Sequence, residues 1–181
     1  LMFKGLTRWV WLVYVVAIVV ATAAMASIPW WTVDDAFISY RYGYNLHAHG
    51  ELTWNAHSGQ MVEGYTGVLL PILAATILAL GLPLLGTIKL LGLGAMLGTG
   101  AIVYKTLARL GVGHLGRSLA LLALAATPLT YLHAISGLET TFFALFITGA
   151  ILTLAGFNFQ SLTLARSGLS AFYVLLAGLC R

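Results

Sequence analysis

The sequence predicts an all-α polytopic membrane protein whose helices cross a lipid bilayer. Of its 181 residues, 60% are hydrophobic and 8% are charged, whereas a soluble domain has about 25% charged residues. The charged residues are separated by uncharged runs, several of which approach the roughly 20 residues that a spanning helix needs. A long polar insert follows the first of these runs. This pattern excludes an ordinary soluble domain.

The net charge of +4 comes from nine Lys and Arg against five Asp and Glu. In a soluble protein this balance would point to nucleic acid, but here the basic residues lie between long apolar runs. The orientation of membrane helices explains them better. We therefore predict a lipid bilayer, and no nucleic acid, as a partner. The single cysteine, Cys180, excludes an internal disulfide and a cysteine-based metal cluster.

The uncharged runs alone propose six spans, of which we predict that five cross the membrane within a single membrane domain that covers residues 1–181. The predicted spans cover residues of about 9–28, 84–105, 118–135, 140–157 and 168–181. Residues 29–83 form the first extracytoplasmic loop, in which we predict juxtamembrane helices. Pro128 is expected to kink its helix just before the outer face. The last span is shorter than a crossing needs, so we expect the chain to be an N-terminal fragment cut within a helix.

The first hydrophobic run has a second interpretation. Lys4 and Arg8 precede it, and Ala24-Met25-Ala26 resembles a signal-peptidase site, so a cleaved signal peptide is the alternative to a first span. The run is longer than the usual core of such a peptide, which favours a span.

Residues 64–82 decide between five and six spans. If they cross, the loop that contains Lys105, Arg109 and Arg117 faces outside, against the positive-inside rule. If they lie on or dip into the membrane surface, the following basic residues become cytoplasmic: Lys4, Arg8, Lys105, Arg109, Arg117 and Arg166. The acidic residues then share the outer face: Asp34, Asp35, Glu51, Glu63 and Glu139. We prefer this five-span arrangement.

Small residues in the 84–105 span predict close helix packing. Gly94 and Gly98 are spaced as GxxxG, and Gly92 and Gly100 add small surface on neighbouring turns. Helices in lipid approach one another most closely at such residues.

The polar insert contains the residues best suited to chemistry. Asp34 and Asp35 follow Pro29-Trp30-Trp31, and aromatic residues of this kind collect at the membrane boundary. Carboxylates at that boundary can act as a general base towards an acceptor hydroxyl. The insert is therefore our candidate active site.

Several motifs follow one another along the chain. They are DDAFISYRYGYNL from Asp34, Trp54-Asn55, Val62-Glu63-Gly64-Tyr65-Thr66, Ser136-Gly137-Leu138-Glu139-Thr140 and the final Leu179-Cys180-Arg181. In this order they resemble the GT-C glycosyltransferases that use polyprenyl-phosphate sugars, most closely the mycobacterial terminal β-(1→2) arabinofuranosyltransferase group. The resemblance covers nearly the whole chain. It implies a GT-C type transmembrane helix bundle with a long first extracytoplasmic loop.

The resemblance also implies an activity. It indicates an inverting glycosyltransferase of the bacterial inner membrane, a multi-pass protein whose active site faces the periplasm or the cell exterior. The enzyme would move a sugar, arabinofuranose in the closest group, from a polyprenyl-phosphate donor to a cell-envelope glycan or lipid acceptor. Asp34 is the implied general base, and Asp35 would orient the acceptor or help to hold a divalent cation.

The negative charge that grows on the leaving phosphate predicts a cation beside it. Arg41, Lys89 and Arg181 are the candidates for donor-phosphate binding. Arg41 lies seven residues after Asp34 and shares its face if this stretch is helical. The alternative for Arg41 is an ordinary carboxylate pair or a headgroup anchor. Lys89 lies within an apolar run, where a charge is usually functional or paired, unless its side chain reaches the surface.

Other polar residues of these motifs are candidates for substrate or metal binding: Asn55, Glu63, Tyr65 and Glu139. The cofactor we consider is a magnesium, manganese or calcium ion held by Asp35, Glu63 and phosphate oxygens. Histidines near Glu51 also allow a zinc site, although their spacing is a weak signal: His47, His49 and His57. Some aromatic residues are suited to stacking on a sugar or to lying at lipid headgroups: Tyr40, Tyr42, Tyr44 and Trp54.

A non-catalytic carrier or assembly factor that binds lipid-linked glycan is the alternative function. Such a protein would tolerate Asp34→Asn, whereas an enzyme that needs a base would not. An ion or proton pathway is disfavoured, because it predicts carboxylates within the spans and all five acids lie in loops or at helix edges.

Overall fold

The computed structural model describes residues 9, 12, 14–16, 19–20, 32–59, 62–154 and 163–181. Within these ranges the chain is all-helical, which confirms the predicted all-α class. The helices are α1 (Asp34–His49), α2 (Leu69–Ala79), α3 (Leu84–Arg109), α4 (His114–Ala126), α5 (Pro128–Ile135), α6 (Thr140–Leu154) and α7 (Leu164–Leu179). The described residues between 9 and 20 are also helical. The Ala24-Met25-Ala26 motif, Pro29-Trp30-Trp31 and most of the predicted first span lie outside the described residues.

Helix length separates α3 from the other described helices. With 26 residues it is the one continuous helix of the described ranges that is long and apolar enough to cross a membrane. Its length of about 39 Å exceeds the roughly 30 Å of a hydrocarbon core. α4 and α5 would be a second candidate if together they formed one span. α2, α6 and α7 are shorter apolar helices.

The predicted kink at Pro128 is present. α4 and α5 meet at Thr127 with a bend of 59°, and Pro128 is the first residue of α5. Proline has no N–H to continue the hydrogen bonds of α4, but it fits the first turn of a new helix. The helical part of this segment begins at His114, four residues before the predicted start of the span at residue 118.

α3 lies at the centre of the fold and contributes to all three apolar clusters of the described residues. Ile88 packs with Ala36 and Tyr40 of α1 and with residues of α2. Ala95 packs with Phe142 and Cys180. The third cluster joins α3 to α4, α5 and the helical residues before position 21: Tyr14, Met96, Leu121, Ala125 and Ala134.

The small residues of α3 allow this packing, but not through the predicted pair. A Cβ at Gly92 would lie 2.6 Å from the Ala134 carbonyl oxygen, and a Cβ at Gly98 would lie 3.2 Å from Leu145. Gly100 packs against the ring of Tyr14. Gly94 faces open space, so its expected part in helix packing was wrong.

α1 and α2 form a closely packed hairpin. A Cβ at Gly43 would lie 2.5 Å from the Ala74 Cβ and 2.7 Å from the Pro71 carbonyl oxygen, so the two backbones approach closely. α2 has 11 residues and is about 16 Å long, roughly half the thickness of a hydrocarbon core. The helix within residues 64–82 is therefore too short to cross a membrane by itself.

Two groups of described charged residues lie at opposite ends of the bundle. We call the start of α1, the loop 136–139 and Cys180-Arg181 the acidic end. We call the opposite end, with Lys105, Arg109 and Arg166 around one cavity, the basic end. Ile88 lies near the acidic end, because it contacts α1. Arg109 lies about 30 Å further along α3.

Candidate functional site

The start of α1 presents two carboxylates. Asp34 and Asp35 occupy the first turn of the helix, where the positive end of the helix dipole stabilises negative charge. Both side chains are exposed. In the part of the chain that the structure describes, neither carboxylate makes a hydrogen bond or an ion pair. Both are therefore available to a ligand.

The loop 136–139 fixes the position of this helix start. The backbone N–H of Val33 donates a hydrogen bond to the Ser136 carbonyl oxygen (3.1 Å). The Tyr40 hydroxyl, almost two turns into α1, donates to the Gly137 carbonyl oxygen (2.7 Å). These contacts join residues almost 100 positions apart in sequence. The DDAFISYRYGYNL and Ser-Gly-Leu-Glu-Thr motifs therefore meet in space.

Gly137 is required at this junction for two reasons. Its φ angle is 83°, a left-handed conformation that glycine adopts without steric cost. A Cβ there would also lie 2.5 Å from the Tyr40 hydroxyl oxygen and 3.0 Å from Thr32. Burial and the nearby Glu139 carboxylate raise the pKa of Tyr40 above its ordinary value. The Tyr40 phenol therefore stays neutral and keeps donating to Gly137.

Glu139 connects this junction to the last residues of the chain. It lies within electrostatic range of both Tyr40 and Cys180. The Arg181 guanidinium lies over the ring of Phe143, 5.2 Å from its centroid. Gly67 packs directly against the backbone of Cys180 and Arg181. The structure thus brings Glu139 and Arg181 to the end of the bundle at which α1 begins.

Arg41 contacts a different set of residues. Its Nε donates to the Trp54 carbonyl oxygen and one Nη to the Asn55 Oδ1, each at 2.9 Å. The guanidinium also lies 4.2 Å from the centroid of the Trp54 ring. Asn45 reinforces the same loop by donating to the Trp54 carbonyl oxygen. The structure therefore pairs Arg41 with Asn55, and not with Asp34.

Tyr42 holds the segment that carries Glu63 and Tyr65. Its hydroxyl donates to the Val62 carbonyl oxygen and accepts from the Gly64 N–H (2.8 Å). Its ring centroid lies 4.8 Å from that of Tyr65 in an edge-to-face contact. Glu63 itself is exposed. Burial, Glu63 and Tyr42 together raise the pKa of Tyr65.

This positioning role of Tyr42 was missed in the sequence. Among the aromatic residues expected to stack on a sugar or on headgroups, Tyr40 and Tyr42 are buried and Tyr44 is exposed. The two buried rings support loops and cannot meet a ligand. Spacing could not reveal this difference, because Tyr40 and Tyr44 share a helical face and yet Tyr40 is buried and Tyr44 is exposed.

Lys89 lies near the acidic end, but its side chain is not free. It follows Ile88, which packs against α1. The side chain is half-buried and has an interaction partner. The structure therefore places Lys89 in the neighbourhood of α1 without bringing it to the aspartates.

The histidines form a separate cluster beyond the end of α1. The His57 Nδ1 lies 3.3 Å from Glu51, and the His49 and His57 ring centroids are 5.0 Å apart. Within the described ranges, no group of three His, Cys, Asp or Glu side chains is arranged to hold a metal ion. Among these residues, neither the zinc site considered at the histidines nor the cation site considered at Asp35 and Glu63 is therefore preformed. A hard cation at either carboxylate would need further oxygen ligands from the substrate or from water.

An apolar cavity of about 390 Å³ adjoins the loop 136–139. Its wall includes Thr140 and Thr141, which directly follow Glu139, and His133 from α5. The Thr141 hydroxyl is buried and has no hydrogen-bond partner among the described residues. The cavity can therefore accept a largely apolar group next to the acidic end.

The structure brings some residues of the predicted site together and separates others from them. The start of α1, Glu139 and Arg181 converge at the acidic end, whereas Arg41 and Asn55 pair with each other in the loop after α1. Comparison of the chain with protein-family profiles, curated proteins and solved structures found no match.

Proposed function

We propose that this chain belongs to a membrane glycosyltransferase of GT-C type, which moves a sugar from a polyprenyl-phosphate donor to a cell-envelope glycan or lipid acceptor on the non-cytoplasmic face. The observation that carries the proposal is the acidic end. There, two exposed and unpaired carboxylates, Asp34 and Asp35, are fixed by the loop 136–139, and the cationic Arg181 lies at the same end. Sugar transfer from a phosphate needs both a base and a cation.

Exposed apolar side chains support the membrane placement. Phe172 and Leu175 of α7 are 53% and 61% exposed, and Leu115 of α4 is 69% exposed. Phe172 and Leu175 are three residues apart and share one face of α7, and exposed apolar surface of this kind supports a protein or membrane contact. The separation of about 30 Å between the acidic and basic ends also matches the thickness of a hydrocarbon core.

In the proposed reaction, Asp34 removes the proton from the acceptor hydroxyl as its oxygen attacks the anomeric carbon of the sugar. The bond between that carbon and the phosphate oxygen breaks, and its electron pair leaves with the polyprenyl phosphate. A single displacement inverts the anomeric centre and needs no protein nucleophile. Asp35, on the same helical turn, orients the acceptor by accepting a hydrogen bond.

The leaving phosphate needs positive charge beside it. Arg181 is the better-placed cation, because it lies at the acidic end with Glu139, while Lys89 has another partner. Arg41 would have to exchange its bonds to Trp54 and Asn55 for the phosphate. If a divalent cation takes part, Asp35 and Glu63 are the residues that would hold it, and it would supply positive charge for the leaving phosphate. The first isoprene units of the donor fit the apolar cavity beside Thr140.

The experiment uses membranes that contain the protein. Transfer of labelled sugar is measured from a panel of polyprenyl-phosphate donors, including the arabinofuranose donor, with and without a chelator. Wild type should use at least one donor, and Asp34→Asn should not. Glu51→Gln is the matched control, because Glu51 pairs with His57 outside the site. If no donor is consumed and both proteins bind lipid-linked sugar equally, the protein is a carrier or assembly factor.

A further inference from the structure

A groove lies between α1 and the turn that joins α2 to α3. Its volume is about 350 Å³. The residues that line it are Phe37, Tyr40, Arg41, Tyr44, Leu78, Leu84 and Leu85. The aromatic residues and the arginine belong to α1, and the leucines lie at the end of α2 and the start of α3. Arg41 is the one charged residue of this set, so the groove is a largely apolar surface with a cation beside it.

The apolar side chains of the groove remain partly exposed in the folded chain. Phe37 is 49% exposed, Tyr44 55% and Leu85 39%. Phe37 and Tyr44 lie seven residues apart with Arg41 between them, so these three residues share one face of α1. Exposed apolar surface of this kind favours a protein or membrane contact.

Arg41 is held in place without losing its charge. Its Nε donates to the Trp54 carbonyl oxygen and one Nη to the Asn55 Oδ1, and the guanidinium lies over the Trp54 ring. All of these partners are neutral. They use two of the five N–H groups of a guanidinium, which leaves the others for an anion. A phosphate beside the groove, unlike one beside Asp34, can therefore be bound without breaking these bonds.

Among the described residues, no carboxylate balances Arg41. All five acidic residues of the chain lie within the described ranges, and none of them forms an ion pair with Arg41. Glu51, in the loop that Arg41 contacts, pairs with His57. Asp34 shares the face of α1 but lies seven residues away, about 10 Å along the helix. That distance is about one Debye length, so its repulsion of an anion at Arg41 is weak.

The combination of surfaces indicates a phospholipid rather than a free anion. A phosphate matches the guanidinium fork of Arg41, and an attached acyl chain can pack on Phe37, Tyr44 and Leu85. Inorganic phosphate can use the cation alone. Aromatic and arginine side chains also collect at the headgroup level of a membrane, which is where the orientation given above places α1.

We propose that this groove binds an anionic phospholipid of the non-cytoplasmic leaflet. The phosphate lies at Arg41, and one acyl chain follows the groove to the start of α3 at Leu84 and Leu85. The proposal rests on the membrane placement and five-span orientation given above, but not on the transferase activity.

The test uses phosphatidylglycerol that carries a photoreactive diazirine in its acyl chain. The lipid is added to the purified protein in detergent, and mass spectrometry identifies the labelled peptides. We expect labels within residues 37–44 and 78–85, and weaker labelling there by the phosphatidylcholine analogue, whose headgroup has no net charge. Labels confined to other segments, or equal labelling of the groove by both lipids, would overturn the proposal.

Arg41→Gln tests the cation. Loss of one positive charge should lower the labelling of the groove by phosphatidylglycerol about five-fold, whereas Arg41→Lys should keep most of it. Arg109→Gln is the matched control, because Arg109 is exposed and lies at the basic end, so this variant should label the groove as wild type does. An equal loss in Arg41→Gln and Arg109→Gln would show diffuse attraction by surface charge, which contradicts a site at Arg41.

Leu85→Gln tests the apolar wall without touching the loop that Arg41 supports. It should lower the labelling about five-fold, because the acyl chain loses apolar contact. Leu90→Gln is its matched control, since Leu90 lies in the same helix, is 69% exposed and does not line the groove. Unchanged labelling in Leu85→Gln would mean that the acyl chain does not lie in the groove.

Competition separates the two sources of phosphate. Inorganic phosphate should suppress the labelling only at far higher concentration than unlabelled phosphatidylglycerol. If both suppress it equally well, the assignment to phospholipid is wrong. Because no sugar donor is present in this measurement, a failure of sugar transfer leaves its result unaffected.

Discussion

At the scale of a single residue, the proposed function gives Asp34 and Asp35 different roles, although they are neighbours in the first turn of α1. If Asp34 is the base, Asp34→Asn should lower kcat by about 100-fold or more, because a general base contributes this much. Asp35→Asn should mainly raise KM, because the proposed role of Asp35 is to orient the acceptor. Steady-state kinetics of both variants with one donor checks this difference. An equal fall in kcat for both would contradict the separate roles.

Tyr40 gives a prediction about stability. The Tyr40→Phe variant leaves the Gly137 carbonyl oxygen without its donor and should lower the free energy of unfolding by about 1–2 kcal/mol. Thermal unfolding in detergent measures this loss. Tyr44→Phe is the matched control, because Tyr44 is exposed, and it should unfold as wild type does.

The same phenol predicts a dependence on pH. Burial and Glu139 hold the pKa of Tyr40 above its ordinary value of 10.0, so the folded state keeps a proton that the unfolded chain releases. This contribution to stability is complete below pH 10.0 and is lost as the pH rises above it. Unfolding measured at about pH 9 and about pH 11 should show a smaller loss in Tyr40→Phe than in wild type. Equal losses would exclude Tyr40 as the source.

At the scale of the elements, the contact between α1 and α2 depends on Gly43. Gly43→Ala should force the helices apart, because the new Cβ would meet the Pro71 backbone at 2.7 Å. We expect a loss of about 1–3 kcal/mol. Gly94→Ala is the matched control, because Gly94 lies in α3 with open space around it and alanine favours a helix. A Gly43→Ala protein that melts no earlier than wild type would contradict this packing.

The elements also show how far the sequence could predict the structure. Uncharged length predicted α3, and proline chemistry predicted the bend at Pro128, because both are local properties. Of the residues that the sequence singled out, the structure brings Asp34, Glu139 and Arg181 to one end of the bundle. It did not reveal that Arg41 turns towards Trp54 and Asn55, because that contact depends on how the loop after α1 folds back. Nor did glycine spacing distinguish Gly94 from Gly92, since it does not show where the neighbouring helices pack.

At the scale of the whole molecule, the proposed orientation can be tested at the loop between α3 and α4. In a protein without Cys180, Gly113→Cys should react with a thiol reagent from the cytoplasmic side. Gly113 is exposed, has an ordinary φ and tolerates a side chain. Ala48→Cys in the exposed part of α1 should react from the other side. Labelling of both positions from the same side would exclude the five-span arrangement.

Tyr42 fixes the position of the backbone around Glu63, whereas the chemistry at this position depends on the side chain alone. The phenol binds main-chain atoms on both sides of residue 63, so the loop keeps its path whichever side chain that residue carries. The side chain at position 63 can therefore be replaced by another while the backbone keeps its position. In the proposed glycosyltransferase, a single substitution at this position would therefore present a new chemical group to the acceptor while the loop keeps its path.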